Sequence, residues 1–233
     1  MTRQAEESTA TARPRSTVGL VATVAALALW NIAGRRLLHS GELIAANMAV
    51  GLAVAGIGLW AGLTPRDLGL ARDRLRSGLL YGGATMAAIG IVVVGGALLP
   101  PTRHFFHNPR AAISGWEVLY QALVAIPLGT VFLEELAFRG TLLGLLRTRS
   151  GTVPAVVASA LLFGLWHVDG VVSSTAGGAL RIGLAVAGTF AATSVAGVGF
   201  AWLRLRSGSL LAPVLAHIAT NSISIVTAWA VLH

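Results

Sequence analysis

Glu134-Glu135-Leu136-Ala137-Phe138-Arg139 is the stretch on which the reading of this chain turns. It lies between Ala122-Leu123-Val124-Ala125-Ile126 and Leu142-Leu143-Gly144-Leu145-Leu146. Ionisable groups inside such a run are expensive, since one charge near the bilayer centre costs about 2.5 kcal/mol or more. A chain that keeps two adjacent carboxylates and a guanidinium there is expected to use them. The rest then reads as a membrane scaffold that brings partners to this hexapeptide.

Composition supports a scaffold of that kind. Of 233 residues, 55% are hydrophobic and 11% charged, less than half the roughly 25% charge of soluble domains. Apolar stretches of ~20 residues recur, each long enough to cross a bilayer as a helix. The expected fold is an all-α, polytopic bundle of about seven transmembrane spans. There are no cysteines, which excludes disulfides and thiolate metal sites. The net charge of +8 comes from arginine alone. These arginines lie between apolar spans rather than in one patch, which argues against nucleic-acid binding and for topology markers.

Residues 1–15 are polar and read as a disordered cytoplasmic tail, with 16–233 as one transmembrane domain. The spans fall at about 18–33, 43–63, 78–99, 116–147, 154–167, 179–203 and 210–232. Pro127 and Gly129 interrupt the fourth, where a proline kink is expected. Asp169-Gly170 and Ser173-Ser174-Thr175 read as a loop. With the N-terminus inside, eleven arginines fall on cytoplasmic segments and five on outer ones, with Arg35-Arg36 as the main dissent. A chain rich in Ala, Gly and Arg and without Lys suits a high-GC bacterium, and so a multi-pass protein of its plasma membrane.

Polar residues inside the spans form three groups: Glu134-Glu135-x-x-x-Arg139, Phe163-x-x-x-His167 and His217-x-x-x-Asn221. Residues four apart share a helix face, so Glu135 reaches Arg139, and His217 projects with Asn221. Glu134 is turned by about 100° from Glu135, so the two carboxylates cannot face one partner equally. Counted from the cytoplasmic ends at ~1.5 Å per residue, Glu134, His167, His217 and Asn221 lie roughly 12–22 Å deep. Three helices thus carry their polar groups into a similar slab. His39, His104, His107 and His233 fall in linkers or at the chain end and read as bystanders.

A carboxylate, two histidines and an amide at one depth suit hydrolysis. Glu134 is placed to act as general base on a water oriented by His167. His217 and Asn221 are placed to donate to the oxyanion formed when that water attacks a carbonyl. A zinc ion on Glu134, His167 and His217 is a second arrangement, and spacing does not choose between them. Single groups also have structural readings. Glu135–Arg139 suits a buried ion pair, and His167 or Asn221 suits interhelical hydrogen bonding. Two rival functions are a non-catalytic immunity or scaffold protein that binds a partner peptide, and a proton-coupled transporter. The absence of an internal repeat weighs against the transporter.

The three motifs, in this order, resemble those of the CPBP family, the CAAX prenyl endopeptidases of the glutamate intramembrane type with their abortive-infection relatives. The similarity covers about 115–232. It implies an intramembrane endopeptidase acting on a membrane-associated protein or peptide. By that resemblance Glu134 and His167 activate water, His217 and Asn221 form the oxyanion site, and Glu135 and Arg139 support them. It implies no cofactor firmly, with a divalent metal such as zinc as the alternative.

Overall fold

The computed structural model describes the backbone of residues 2–38 and 40–233, and the side chains of 15–34, 36–38 and 41–233. His39 lies outside the described residues. Among them, seven helices are long and apolar enough to cross a membrane: α1 (Arg15–Gly34), α2 (Gly41–Trp60), α3 (Arg72–Leu98), α4 (Gly115–Ser150), α5 (Thr152–Ser174), α6 (Ala179–Ser207) and α7 (Leu211–Leu232). The protein is therefore an all-α, multi-pass membrane protein. Leu79, Leu80, Ile91, Val92, Leu123 and Val195 project outward from the bundle, an apolar surface suited to lipid rather than water.

α4 is the central element. It starts on a capping box, in which Ser114 Oγ accepts from the Glu117 amide at 3.2 Å and Glu117 Oε2 accepts from the Ser114 amide at 2.8 Å. At 36 residues it exceeds the ~20 needed to span a bilayer. From Leu133 to Leu145 every side chain is buried, as expected of a helix that is apolar almost all round. The other helices pack around it.

α4 is also not a regular α-helix. Gln121–Ala125, Pro127–Val131 and Glu135–Leu142 are π-helical. The proline sits within this wide winding, where its missing N–H is accommodated without ending the helix. Asn47 of α2 donates to the Gly129 carbonyl and accepts from Trp30 Nε1 of α1 at 2.7 Å. This side-chain bridge ties three helices together beside the interrupted segment.

Close backbone contact sets the remaining geometry. A Cβ on Gly164 of α5 would lie 2.9 Å from the Phe190 carbonyl of α6. One on Gly82 of α3 would lie 3.0 Å from Ala212 Cα of α7. Small residues at these points let each pair of helices approach closely. Between α2 and α3, Leu68 is fully buried, and Arg204 of α6 donates to the carbonyls of Arg66 and Asp67 at 3.0 and 2.8 Å.

α5 corrects one expectation. It continues as helix through Ser174, so Asp169-Gly170 and Ser173-Ser174 are helical rather than loop. The serine hydroxyls bond back to the carbonyls of Asp169 and Gly170 at 2.9 and 2.7 Å, which satisfies them within the helix. Asp169 also meets Arg36 of the α1 end at 3.4 Å, an exposed pair worth little to stability.

Candidate active site

α4, α5 and α7 bring Glu134, His167 and His217 together. Glu134 Oε2 stands 3.8 Å from His167 Nε2 and 3.7 Å from His217 Nε2. Glu134 is 3% exposed, and its Oε2 has no hydrogen-bond partner among the described residues. The other oxygen, Oε1, accepts from Trp166 Nε1 at 2.9 Å. One cavity of about 480 Å³ is lined by Glu134, His167, His217 and Asn221, together with Thr130, Phe163, Thr193, Phe200 and Thr220. All four residues singled out for chemistry therefore face one space.

Neighbouring atoms fix which ring nitrogens point inward. His167 Nδ1 lies 2.8 Å from the Phe163 carbonyl, which only accepts, so Nδ1 carries a proton. His217 Nδ1 lies 2.8 Å from Glu135 Oε1, and a carboxylate likewise accepts. In both rings Nε2 is left to face Glu134. The i, i+4 step from Phe163 to His167 supplies the first of these anchors.

Glu135 and Arg139 are fully buried and joined at 3.1 Å. The guanidinium carbon stands 3.8 Å from the centroid of the Phe163 ring and 5.0 Å from that of Phe200. Arg139 is thus held by one carboxylate and two aromatic faces, a desolvated cation–π arrangement. The adjacent carboxylates do meet their shared partner unequally. His217 bonds Glu135 through Nδ1 and faces Glu134 through Nε2 at the longer distance. The wide winding of Glu135–Leu142 replaces the regular 100° step assumed from sequence along this segment.

Asn221 lies within a π-helical turn of α7, Ala219–Ile223, one turn beyond His217. The donor set for zinc, Glu134, His167 and His217, is present in the cavity. No group of three or more His, Asp or Glu among the described residues is arranged to hold a metal ion.

Two contributors escaped the sequence reading. Trp166 stands beside His167 in the second motif, and its indole N–H was the signal there to be used. Phe200 stacks on His217 with centroids 4.9 Å apart, yet it comes from α6, a span that carries none of the three motifs. His104, His107 and His233 lie away from the cavity.

An ionisable cluster built by three helices into the core of a seven-helix membrane bundle defines the class of this protein. Residues 115–223, which carry all three motifs, match the model of the Rce1-like family, the type II CAAX prenyl endopeptidases. The chain is also similar to human CAAX prenyl protease 2, at 35% identity over 91 residues. That alignment takes in 38% of this chain and 28% of the human protein. No solved structure matches.

Proposed function

We propose that this chain is an intramembrane endopeptidase that hydrolyses a peptide bond in a membrane-associated protein or peptide. The observation that carries this reading is the single cavity shared by Glu134, His167, His217 and Asn221. The match of residues 115–223 to the model of a CAAX prenyl endopeptidase family supports it.

In this reading, separations of 3.7 and 3.8 Å are too long for direct hydrogen bonds and suit one bridging water. Glu134 Oε2 takes a proton from that water while His167 Nε2 accepts from its other hydrogen. The oxygen attacks the scissile carbonyl carbon, and the carbonyl oxygen becomes an oxyanion. Asn221 donates to it through its amide, and His217 donates through Nε2. The second donation requires His217 to be doubly protonated. Glu134 then delivers its proton to the departing amine as the C–N bond breaks, leaving a carboxylate on the other fragment.

The proposed chemistry uses no cofactor. The N-terminus is proposed to be cytoplasmic and the host membrane the plasma membrane, on the arginine distribution. The test uses purified protein in detergent with a farnesylated peptide ending in Cys-aliphatic-aliphatic-X. A parallel comparison of membrane proteomes, wild type against Glu134→Gln, looks for new termini. Glu134→Gln keeps the shape and removes the base, so cleavage should fall ~10²–10⁴-fold. Wild-type cleavage by the folded variant would refute the assignment and favour a binding role.

A further inference from the structure

We propose that Trp166 is the positioning residue of Glu134, holding one carboxylate oxygen so that the other is left to the water. The proposal rests on the reading of Glu134 as base. Its geometry is specific: the indole Nε1–H meets Oε1 at 2.9 Å, and Oε2 is the oxygen turned towards both histidines. A glutamate has three side-chain torsions and two equivalent oxygens. A single fixed donor on one oxygen removes that freedom and chooses which oxygen reacts.

The indole is itself held firmly. Trp166 is 6% exposed, and its ring meets Phe138 edge-on with centroids 5.8 Å apart. Its carbonyl accepts from Asn31 Nδ2 of α1 at 3.1 Å. Trp166 also lines a largely apolar cavity of about 230 Å³ with Leu27, Asn31, Phe138, Leu142 and Leu162.

The chemistry of the donors separates the two glutamates. Glu135 is held by a guanidinium and an imidazole, both charge-assisted partners suited to a permanent anion. Glu134 is held by a neutral N–H. A neutral donor orients a carboxylate without forming an ion pair with it. Adjacent residues of one type thus acquire different roles from the charge of what holds them.

The experiment removes the N–H alone, by Trp166→Phe and by replacing Trp166 with benzothienylalanine, which keeps the bicyclic shape. With the farnesylated peptide, kcat should fall ~10–100-fold while KM stays within about twofold, because the lost bond orients the base and does not bind substrate. Infrared difference spectra supply a readout that a packing role would not move. The carboxylate stretch that disappears in Glu134→Gln should shift in both Trp166 variants, and the one that disappears in Glu135→Gln should not. If Trp166→Phe fails to fold, the benzothienylalanine protein is read by the same criteria. Full kcat in a folded variant, or an unmoved Glu134 band, overturns the proposal while inactive Glu134→Gln leaves the base reading intact. An active Glu134→Gln instead overturns the base reading.

Discussion

His217 is bonded to Glu135, Nδ1 to Oε1 at 2.8 Å, and through that bond its other nitrogen is aimed at Glu134. Glu135 therefore sets the orientation of a ring that belongs to its neighbour's chemistry. In Glu135→Gln the amide oxygen still accepts from Nδ1, but the negative charge is gone. The variant also leaves the buried Arg139 guanidinium without its paired anion, so a lower thermal midpoint is expected, and the folded fraction should lose ~10–100-fold in kcat, the scale of one charge-assisted hydrogen bond. Steady-state kinetics on the purified variant decide this, and an unaltered kcat would separate Glu135 from the reaction.

Arg139 holds the other side of Glu135. Removing it leaves a carboxylate buried without its cation, which costs ~3–5 kcal/mol in comparable pairs. Arg139→Ala should give less folded protein and a lower thermal midpoint. Arg139→Lys should not restore it, because an ammonium does not reproduce the flat guanidinium against Phe163. A midpoint equal to wild type in either variant would contradict this account.

His167 and Asn221 are expected to differ in degree. His167→Ala removes the second anchor of the water and should approach the ~10²–10⁴-fold loss of Glu134→Gln. Asn221→Ala removes one oxyanion donor and should cost ~10²–10³-fold. Both should unfold like wild type. Their ranking in single-turnover cleavage is the check, and an Asn221→Ala enzyme with full activity would place the oxyanion elsewhere.

Metal removal offers an independent test. Since the residues as placed do not form a metal-holding group, chelator-treated protein should cleave at the untreated rate and carry no stoichiometric zinc by elemental analysis. Reversible loss of activity on chelation, with metal lost from Glu134→Gln, would call for zinc on Glu134, His167 and His217.

The orientation follows from the arginine count, and the chain suits its measurement because it has no cysteine. Single cysteines at Arg72 and His233 should label from opposite sides of the membrane, Arg72 from the cytoplasm. Labelling of both from one side would break the seven-span topology and the shared depth of the polar groups.

The spans were legible because hydropathy reports long apolar helices directly. The cluster was legible because charges inside such helices have few structural uses. The winding of α4 was not legible. Nothing in Glu135–Leu142 distinguishes π from α by composition. Phe200 was hidden for another reason: an aromatic ring on a lipid-embedded helix is ordinary until the fold turns it onto His217. Helix α5 overran its expected end because Ser173 and Ser174, which favour loops in water, can satisfy their hydroxyls on the preceding turn.

The wide winding of Glu135–Leu142 also gives this segment a way to absorb a change in chain length. A π turn is in effect an α turn with one residue added. Deleting a single residue from this segment would let it relax to ordinary α winding with its apolar character hardly changed. The shorter α turn covers the same rotation as the longer π turn, so what lies beyond the deletion would keep its face relative to what precedes it, and only the side chains inside the segment would change register. A deletion between Glu135 and Arg139 would leave the two partners of the ion pair three residues apart. Homologous segments that differ by one residue at this point should be aligned by the faces they present rather than by letter.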